Sequence, residues 1–200
     1  MERGYRIRSK PLYDPLIWKD HATDHVVIAH AEGGVGVLKL FQMMTPKQPI
    51  KVLFADDERA QRSYRDIISK LVDEGLQILD DKEGVLSAVS ATLDDCVMGT
   101  QFYIAGNEDF IWAASQILKS AGVDDKNVMK EQCGSLARPV YCVHCKTIDP
   151  EVHHNVYTCP GCGRHLFVRD HFSRRLGAYM GLMVDAEEPG NIPEVEEMYP

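Results

Sequence analysis

The sequence predicts an α/β domain built on a parallel sheet, followed by a small metal-binding ribbon. Three observations predict it. Short apolar runs alternate with helix-period segments from His25 to Glu131. Glycine turns follow two of those runs, at Gly33–Gly36 and at Gly106. Two Cys-x-x-Cys pairs, Cys142/Cys145 and Cys159/Cys162, stand with 13 residues between them.

Taken in order, His25–Ala29 is a short apolar run consistent with a buried strand, and Ala31–Gly36 is the turn that ends it. Val37 to Met44 reads as a helix stopped by Thr45-Pro46. Ile50–Ala55 is the second strand. Tyr64, Ile67, Ile68, Leu71 and Val72 fall at helical spacing, with Asp66 four residues before Lys70, and Gly75 closes that helix. Leu76–Leu79 is the third strand; Val85, Leu86, Val89 and Leu93 mark the third helix. Gln101–Ala105 is the fourth strand. Phe110, Ile111, Ala114, Ile117, Leu118 and Ala121 mark a fourth helix closed by Gly122, and Asn127–Glu131 is the last strand. Strand–helix alternation at this spacing means a parallel sheet with helices on both faces, which takes ligands at the carboxyl ends of its strands.

The chain has 200 residues, 44% of them hydrophobic, and a formal charge of −8. That is enough apolar material for one ordinary domain or two small ones and excludes a wholly disordered chain. No apolar run reaches the ~18 residues of a spanning helix. Met1 to Lys10 is polar and basic with no apolar stretch after it, so no secretory signal is expected and the chain reads as cytoplasmic. Six cysteines in a reducing compartment are then not three disulfides.

Charge divides the chain further. Residues 1–137 carry 16 basic and 21 acidic side chains, residues 138–180 carry six and three, and residues 181–200 carry six acidic and no basic ones. Four of six Cys and five of eight His lie between Cys142 and His171. The expected pieces are an N-terminal extension (1–24), the α/β domain (25–137), the Cys-rich module with an Arg-rich segment (138–183) and an acidic tail (184–200). The tail has two readings: a solvated terminus, or an arm that orders on a partner subunit.

Gly33, Gly34, Gly36 and Gly106 would let the backbone come close to a pyrophosphate, with a helix N-terminus offering free N–H groups; the plainer reading is tight turns alone. Gly33-Gly34-Val35-Gly36-Val37-Leu38-Lys39 and Ala105-Gly106-Asn107-Glu108-Asp109-Phe110 resemble the pyridine-nucleotide half of ferredoxin–NADP reductases and oxygenase reductases, whose turns read Gly-Gly-x-Gly-x-Thr-Pro and Cys-Gly-Pro-x-x-Phe/Met. The glycines match. The family's cysteine is Ala105 here, and its prolines are Lys39 and Asn107. Ala55-Asp56-Asp57-Glu58 sets carboxylates where an Arg often meets phosphate, with Arg59 and Arg62 just beyond. About 24 residues precede the first strand, too few for a flavin barrel. The expectation is a kept fold without hydride transfer, with NADPH binding left open.

Cys142, Cys145, Cys159 and Cys162 can complete a tetrahedron around one metal, since two thiolates two residues apart grip an ion from a single turn. All four positions are sulfur, so the site is closed and structural. Zinc is the favoured metal. Iron is the alternative, because Cys159-Pro160-Gly161-Cys162-Gly163 resembles the second turn of rubredoxin, although Lys146 stands where the first turn often has glycine. His144, His153, His154, His165 and His171 read as supporting or surface residues, and Cys96 and Cys133 as buried structural thiols. Arg164, Arg169, Arg174 and Arg175 interleave with Phe167, Phe172 and Tyr179, a pattern compatible with nucleic acid. The acidic segments on both sides and the fused α/β domain argue instead for a capping segment with paired arginines.

The order of a reductase-like domain, two Cys-x-x-Cys turns and Asp170-His171-Phe172-Ser173-Arg174-Arg175 resembles the dimethylamine monooxygenase small subunit, the DmmA family, over nearly the whole chain. The resemblance implies an accessory subunit, not catalytic alone, of a multi-subunit enzyme that turns dimethylamine into methylamine and formaldehyde with oxygen and NADPH. It places heme, FMN and a [2Fe–2S] centre on partner subunits, namely a heme subunit and a flavin/iron–sulfur reductase subunit. Arg169, His171, Arg174 and Arg175 are the expected partner contacts.

Overall fold

The computed structural model describes residues 9–57 and 62–200. They form two compact units, Tyr13–Gly134 and Ser135–Pro200, the latter joined by the described residues up to Leu12.

Five strands form the sheet of the first unit: β1 (His25–His30), β2 (Ile50–Ala55), β3 (Leu76–Ile78), β4 (Gln101–Gly106) and β5 (Val128–Gln132). They run parallel in the order β3-β2-β1-β4-β5. β1 and β4 are buried along their whole length, as central strands covered on both faces must be. Helices α1 (Gly34–Phe41), α2 (Arg65–Leu71), α3 (Lys82–Leu93) and α4 (Glu108–Ser120) connect them. Asp81 caps α3 by accepting from Gly84 N at 2.7 Å, and Asn107 caps α4 by accepting from Phe110 N at 3.0 Å. One face of the sheet buries Val27, Ala29, Val52, Phe54 and Tyr103 against Val37, Leu40 and Ile68 of α1 and α2. Among the described residues no helix is long and apolar enough to cross a membrane.

The expected strands and helices are present, but Gly75, expected to close the second helix, lies three residues past its C-cap Val72 at the entry to β3. A second shift matters for the ligand end. α1 starts at Gly34, ahead of the expected Val37, after a short 3-10 turn at Ala31–Gly33. Gly34 and Gly36 are therefore helix residues, and the small size of this glycine run serves packing. A Cβ on Gly33 would sit 2.1 Å from the Ala105 carbonyl oxygen, and one on Gly36 would sit 2.9 Å from the Ala105 Cβ. The N-terminal extension is also structured where described. Leu16 is buried, and its N–H donates to Glu131 Oε2 at 2.9 Å while Lys39 Nζ donates to Glu131 Oε1 at 3.0 Å. The Tyr13 hydroxyl donates to Glu108 Oε1 at 2.6 Å and accepts from Trp112 Nε1 at 2.8 Å. Trp18 packs edge-on against His25, Phe41 and Tyr103.

The second unit is a sheet of β6 (Arg138–Cys142), β7 (Ile148–Val152), β8 (Val156–Thr158), β9 (His165–Ser173) and β10 (Ala178–Met183), in the order β7-β6-β10-β9-β8. Only β10 and β6 pair in parallel among these strands. The acidic tail closes back on this sheet. Asn155 exchanges bonds with Glu196, the N–H groups of Met198 and Tyr199 donate to the His153 carbonyl at 2.9 Å, and Leu136 N donates to the Pro200 carbonyl at 2.6 Å. The Arg138 guanidinium lies between the rings of Tyr179 and Tyr199, 4.2 and 4.0 Å from their centroids, and pairs with Asp170 at 2.7 Å. The end of the tail is thus ordered on its own module. Composition shows the acidic residues but hides the anchor, which is one aromatic ring on one buried arginine.

The close approach of α1 to β4 makes Gly33 the sharpest test of the first unit. Gly33→Ala drives a Cβ into backbone, which has no rotamer to yield, so unfolding free energy should fall by about 3 kcal/mol. Urea denaturation measures this, and a midpoint equal to that of the unmutated chain would contradict the packing described.

Candidate metal centre

β6 carries Cys142 to its end, and the chain then turns through two matched loops. In the first, Lys146 N donates to the Cys142 carbonyl and Cys142 N to the Thr147 carbonyl, each at 2.9 Å. In the second, Gly163 N donates to the Cys159 carbonyl and Cys159 N to the Arg164 carbonyl, again at 2.9 Å. Both turns need a left-handed residue after the second cysteine, Lys146 at φ +67° and Gly163 at φ +68°. The lysine therefore departs from the rubredoxin-like pattern in residue type while keeping its backbone geometry.

The four sulfurs converge. Cys142 Sγ lies 3.8 Å from Cys162 Sγ, and Cys145 Sγ lies 3.6 Å from Cys159 Sγ. All four ligand atoms fall within 4.8 Å of one another. A tetrahedron with metal–sulfur bonds of about 2.3 Å has sulfur–sulfur edges of about 3.8 Å, so the set fits a four-coordinate ion of zinc size. None of the six cysteines forms a disulfide; Cys133 is buried as expected, whereas Cys96, beyond the end of α3, is only partly buried. The first cysteine of each pair is buried, and Leu166 and Tyr157 pack beside them. The second of each pair, Cys145 and Cys162, is partly exposed.

Their acidities differ for local reasons. The Thr147 hydroxyl, followed by its backbone N–H, lowers the Cys145 thiol to about 6. The Arg164 backbone N–H lowers Cys162. Burial pushes Cys159 up to about 12, against N–H groups of Gly161 and Cys162 that favour its thiolate. Thiolates this close repel one another, and a divalent cation among them removes that penalty. The Tyr157 hydroxyl is raised, first by burial and then by nearby Asp149 and the cysteines.

Arg169 and His171 lie exposed on β9, and Arg174 and Arg175 lie exposed in the turn before β10. Arg164 instead meets His144, with Nη1 donating to Nδ1 at 2.6 Å. Among the described residues no histidine joins the sulfur cluster.

At the carboxyl ends of β1 and β4 the glycines do come together, and aromatic rings pack against two of them. The Tyr64 ring occupies the position a Gly34 Cβ would take, 2.4 Å from it at Cγ, and the Phe110 ring does the same for Gly106 at 2.7 Å. Tyr64 is buried, and its hydroxyl donates to Glu32 Oε2 at 3.0 Å. Burial first, and the Glu32 bond second, raise its pKa. Asp56, expected to repel phosphate, accepts from the Ser63 hydroxyl at 2.6 Å and from Tyr64 N at 3.0 Å, and so sets the loop that delivers Tyr64. Arg62 is exposed, while Glu58 and Arg59 lie outside the described residues. Tyr64, Glu32 and Thr147 are the residues that pattern reading missed. Tyr64 carries only the signal of a helix-face position.

Comparison with known proteins adds relatives. The heme-dependent oxidative N-demethylase delta subunit of Ectopseudomonas mendocina (strain ymp) is 38% identical over 101 residues, half of this chain and 58% of that protein. Among solved structures, an intact type IV self-sufficient cytochrome P450 monooxygenase is 17% identical over 84% of this chain and 22% of its own, with a TM-score of 0.46. The ferredoxin reductase in carbazole 1,9a-dioxygenase is 14% identical over 54% of this chain and 37% of its own, with a TM-score of 0.39. A family model described as the N-terminal domain of the dimethylamine monooxygenase subunit DmmA-like family matches residues 5–128, a second described as its C-terminal domain matches residues 139–182, and the chain belongs to that family.

Proposed function

We propose that the chain is an accessory subunit of a heme-dependent, oxygen- and NADPH-using dimethylamine monooxygenase, the reaction yielding methylamine and formaldehyde. Family membership and the N-demethylase delta-subunit relative support this reading. The observation that carries the accessory role is the closure of both candidate sites. Four sulfurs complete a tetrahedron with no position left for water or substrate. The Tyr64 ring against Gly34 and the Glu32 carboxylate bonded to it support a helix N-terminus that takes no phosphate. The α/β unit then serves as a docking scaffold. Heme, FMN and the [2Fe–2S] centre belong to the heme subunit and the flavin/iron–sulfur reductase subunit. Arg169, His171, Arg174 and Arg175 form the surface that meets them.

Cys142, Cys145, Cys159 and Cys162 hold zinc in this reading. A metal there supplies folding free energy, on the order of 10 kcal/mol in small modules that cannot fold on apolar burial alone. The buried cluster around it is small: Cys142, Cys159 and Leu166, with Tyr157 packed alongside. Rubredoxin-type iron is the second reading, favoured by the matched left-handed turns at Lys146 and Gly163.

Three measurements test these statements. The chain purified from native cells through an affinity tag should bring heme and flavin absorbance with it, and Arg169→Glu with Arg174→Glu and Arg175→Glu should reduce that yield several-fold. A wild-type chain that emerges alone sinks the subunit reading. Metal analysis should find one zinc per chain and no visible band, with Cys159→Ser abolishing the zinc and unfolding the second unit; a red protein carrying iron moves the assignment to the electron carrier. Titration of the isolated chain with NADPH should give no saturable heat or fluorescence change, whereas micromolar binding would mean that Tyr64 yields its place.

A further inference from the structure

We infer that Thr147 is a positioning residue of the metal centre: its hydroxyl, seated in a notch that Gly161 leaves open, donates to the Cys145 sulfur, fixing that thiolate and drawing charge from it. The inference rests on the four-cysteine metal reading above and goes beyond it to a residue that is not a ligand.

Thr147 Oγ1 lies 3.3 Å from Cys145 Sγ. A metal-bound thiolate has no proton and can only accept, so in the loaded site the hydroxyl is the donor. The Thr147 backbone N–H is directed at the same sulfur. What holds the hydroxyl there comes from the other knuckle. A Cβ on Gly161 would lie 2.2 Å from Thr147 Oγ1, 3.0 Å from Thr147 Cβ and 3.0 Å from Cys145 Sγ. Gly161 is absent from the positive-φ glycines, so its backbone conformation does not demand glycine; the space it leaves does. Gly163, two residues on, is the opposite case, with φ +68° and open space where a Cβ would stand. Two glycines in one five-residue motif are thus required for different reasons.

In the second knuckle Arg164 stands at the position of Thr147, and its guanidinium donates to His144. Cys145 and Cys162 are the sulfurs that solvent and electrophiles reach. A hydrogen bond to a metal-bound thiolate lowers its electron density, and with it the ease of protonation and alkylation that releases the ion. Partners of this kind around ligands change metal affinity by roughly 10–100-fold.

The test uses the full chain loaded with cobalt(II). Thr147→Val keeps the shape and removes the hydroxyl; Thr147→Ser keeps the hydroxyl. The valine variant should shift the sulfur-to-cobalt charge-transfer band to lower energy and transfer its metal to a competing chelator about tenfold faster. Mass mapping after iodoacetamide should find Cys145 labelled first. The serine variant should stay close to wild type. Gly161→Ala should mimic the valine variant, and its effect should be smaller on a Thr147→Ala background, where the 2.2 Å clash with Oγ1 is gone and the 3.0 Å contacts with the residue-147 Cβ and Cys145 Sγ remain. A valine variant with unchanged band, transfer rate and labelling order overturns the inference; if valine prevents folding, Thr147→Ala carries the same comparison. Failure of the wild-type chain to take up cobalt overturns the metal reading itself and is distinguishable from unchanged spectra in a loaded variant.

Discussion

Four thiolate sulfurs within 4.8 Å of one another repel strongly unless a dication sits among them, and the second unit is organised around that constraint. Its strands bring the cysteines to matched turns, where the apolar packing directly around them is limited to Leu166 and Tyr157. The buried pair, Cys142 and Cys159, ties the site to Leu166 of β9, while the outer pair takes hydrogen bonds from the residues that follow each turn. A metal held there would couple its binding to folding, because it would offset the charge that the four cysteines carry as thiolates.

In the first unit the constraint is steric. A parallel sheet presents its ligand end at the carboxyl tips of β1 and β4, and α1 approaches β4 so closely that Gly33 and Gly36 cannot carry a side chain. In nucleotide-binding sheets this closeness exposes a helix N-terminus to phosphate. Here the first turn of α1 is covered by Tyr64, whose hydroxyl is held by Glu32, a carboxylate beside N–H groups that would otherwise attract an anion. The glycines thus serve the close packing of α1 on the sheet, with the Tyr64 ring against Gly34.

Much of this was legible in the sequence. Strand and helix periodicity read correctly because the central strands are continuously apolar and the helices carry one apolar face, and the Cys-x-x-Cys spacing fixes its geometry within a single turn. What escaped depends on residues distant in the chain. Tyr64 meets Gly34 thirty positions away, so no sequence pattern signals that a ring packs against that glycine. Thr147 and Gly161 meet across two knuckles, and neither residue is unusual alone. The tail reads as solvated because six carboxylates dominate its composition, whereas its position is set by Tyr199 against Arg138 and by backbone bonds to His153.

Charge counted along the sequence also changes meaning once placed. Residues 138–180 hold six basic side chains, which suggests a basic surface. Arg138 is withdrawn from that surface, sandwiched between two rings and paired with Asp170. Arg164 is committed to His144. Four thiolates around a divalent ion would also leave two net negative charges at the knuckles. The exposed arginines of this segment are Arg169 on β9 and Arg174 and Arg175 in the turn before β10, fewer than composition suggests. Three exposed arginines give less charge than the extended basic track a nucleic acid requires, because phosphate binding depends on charge spread along a backbone.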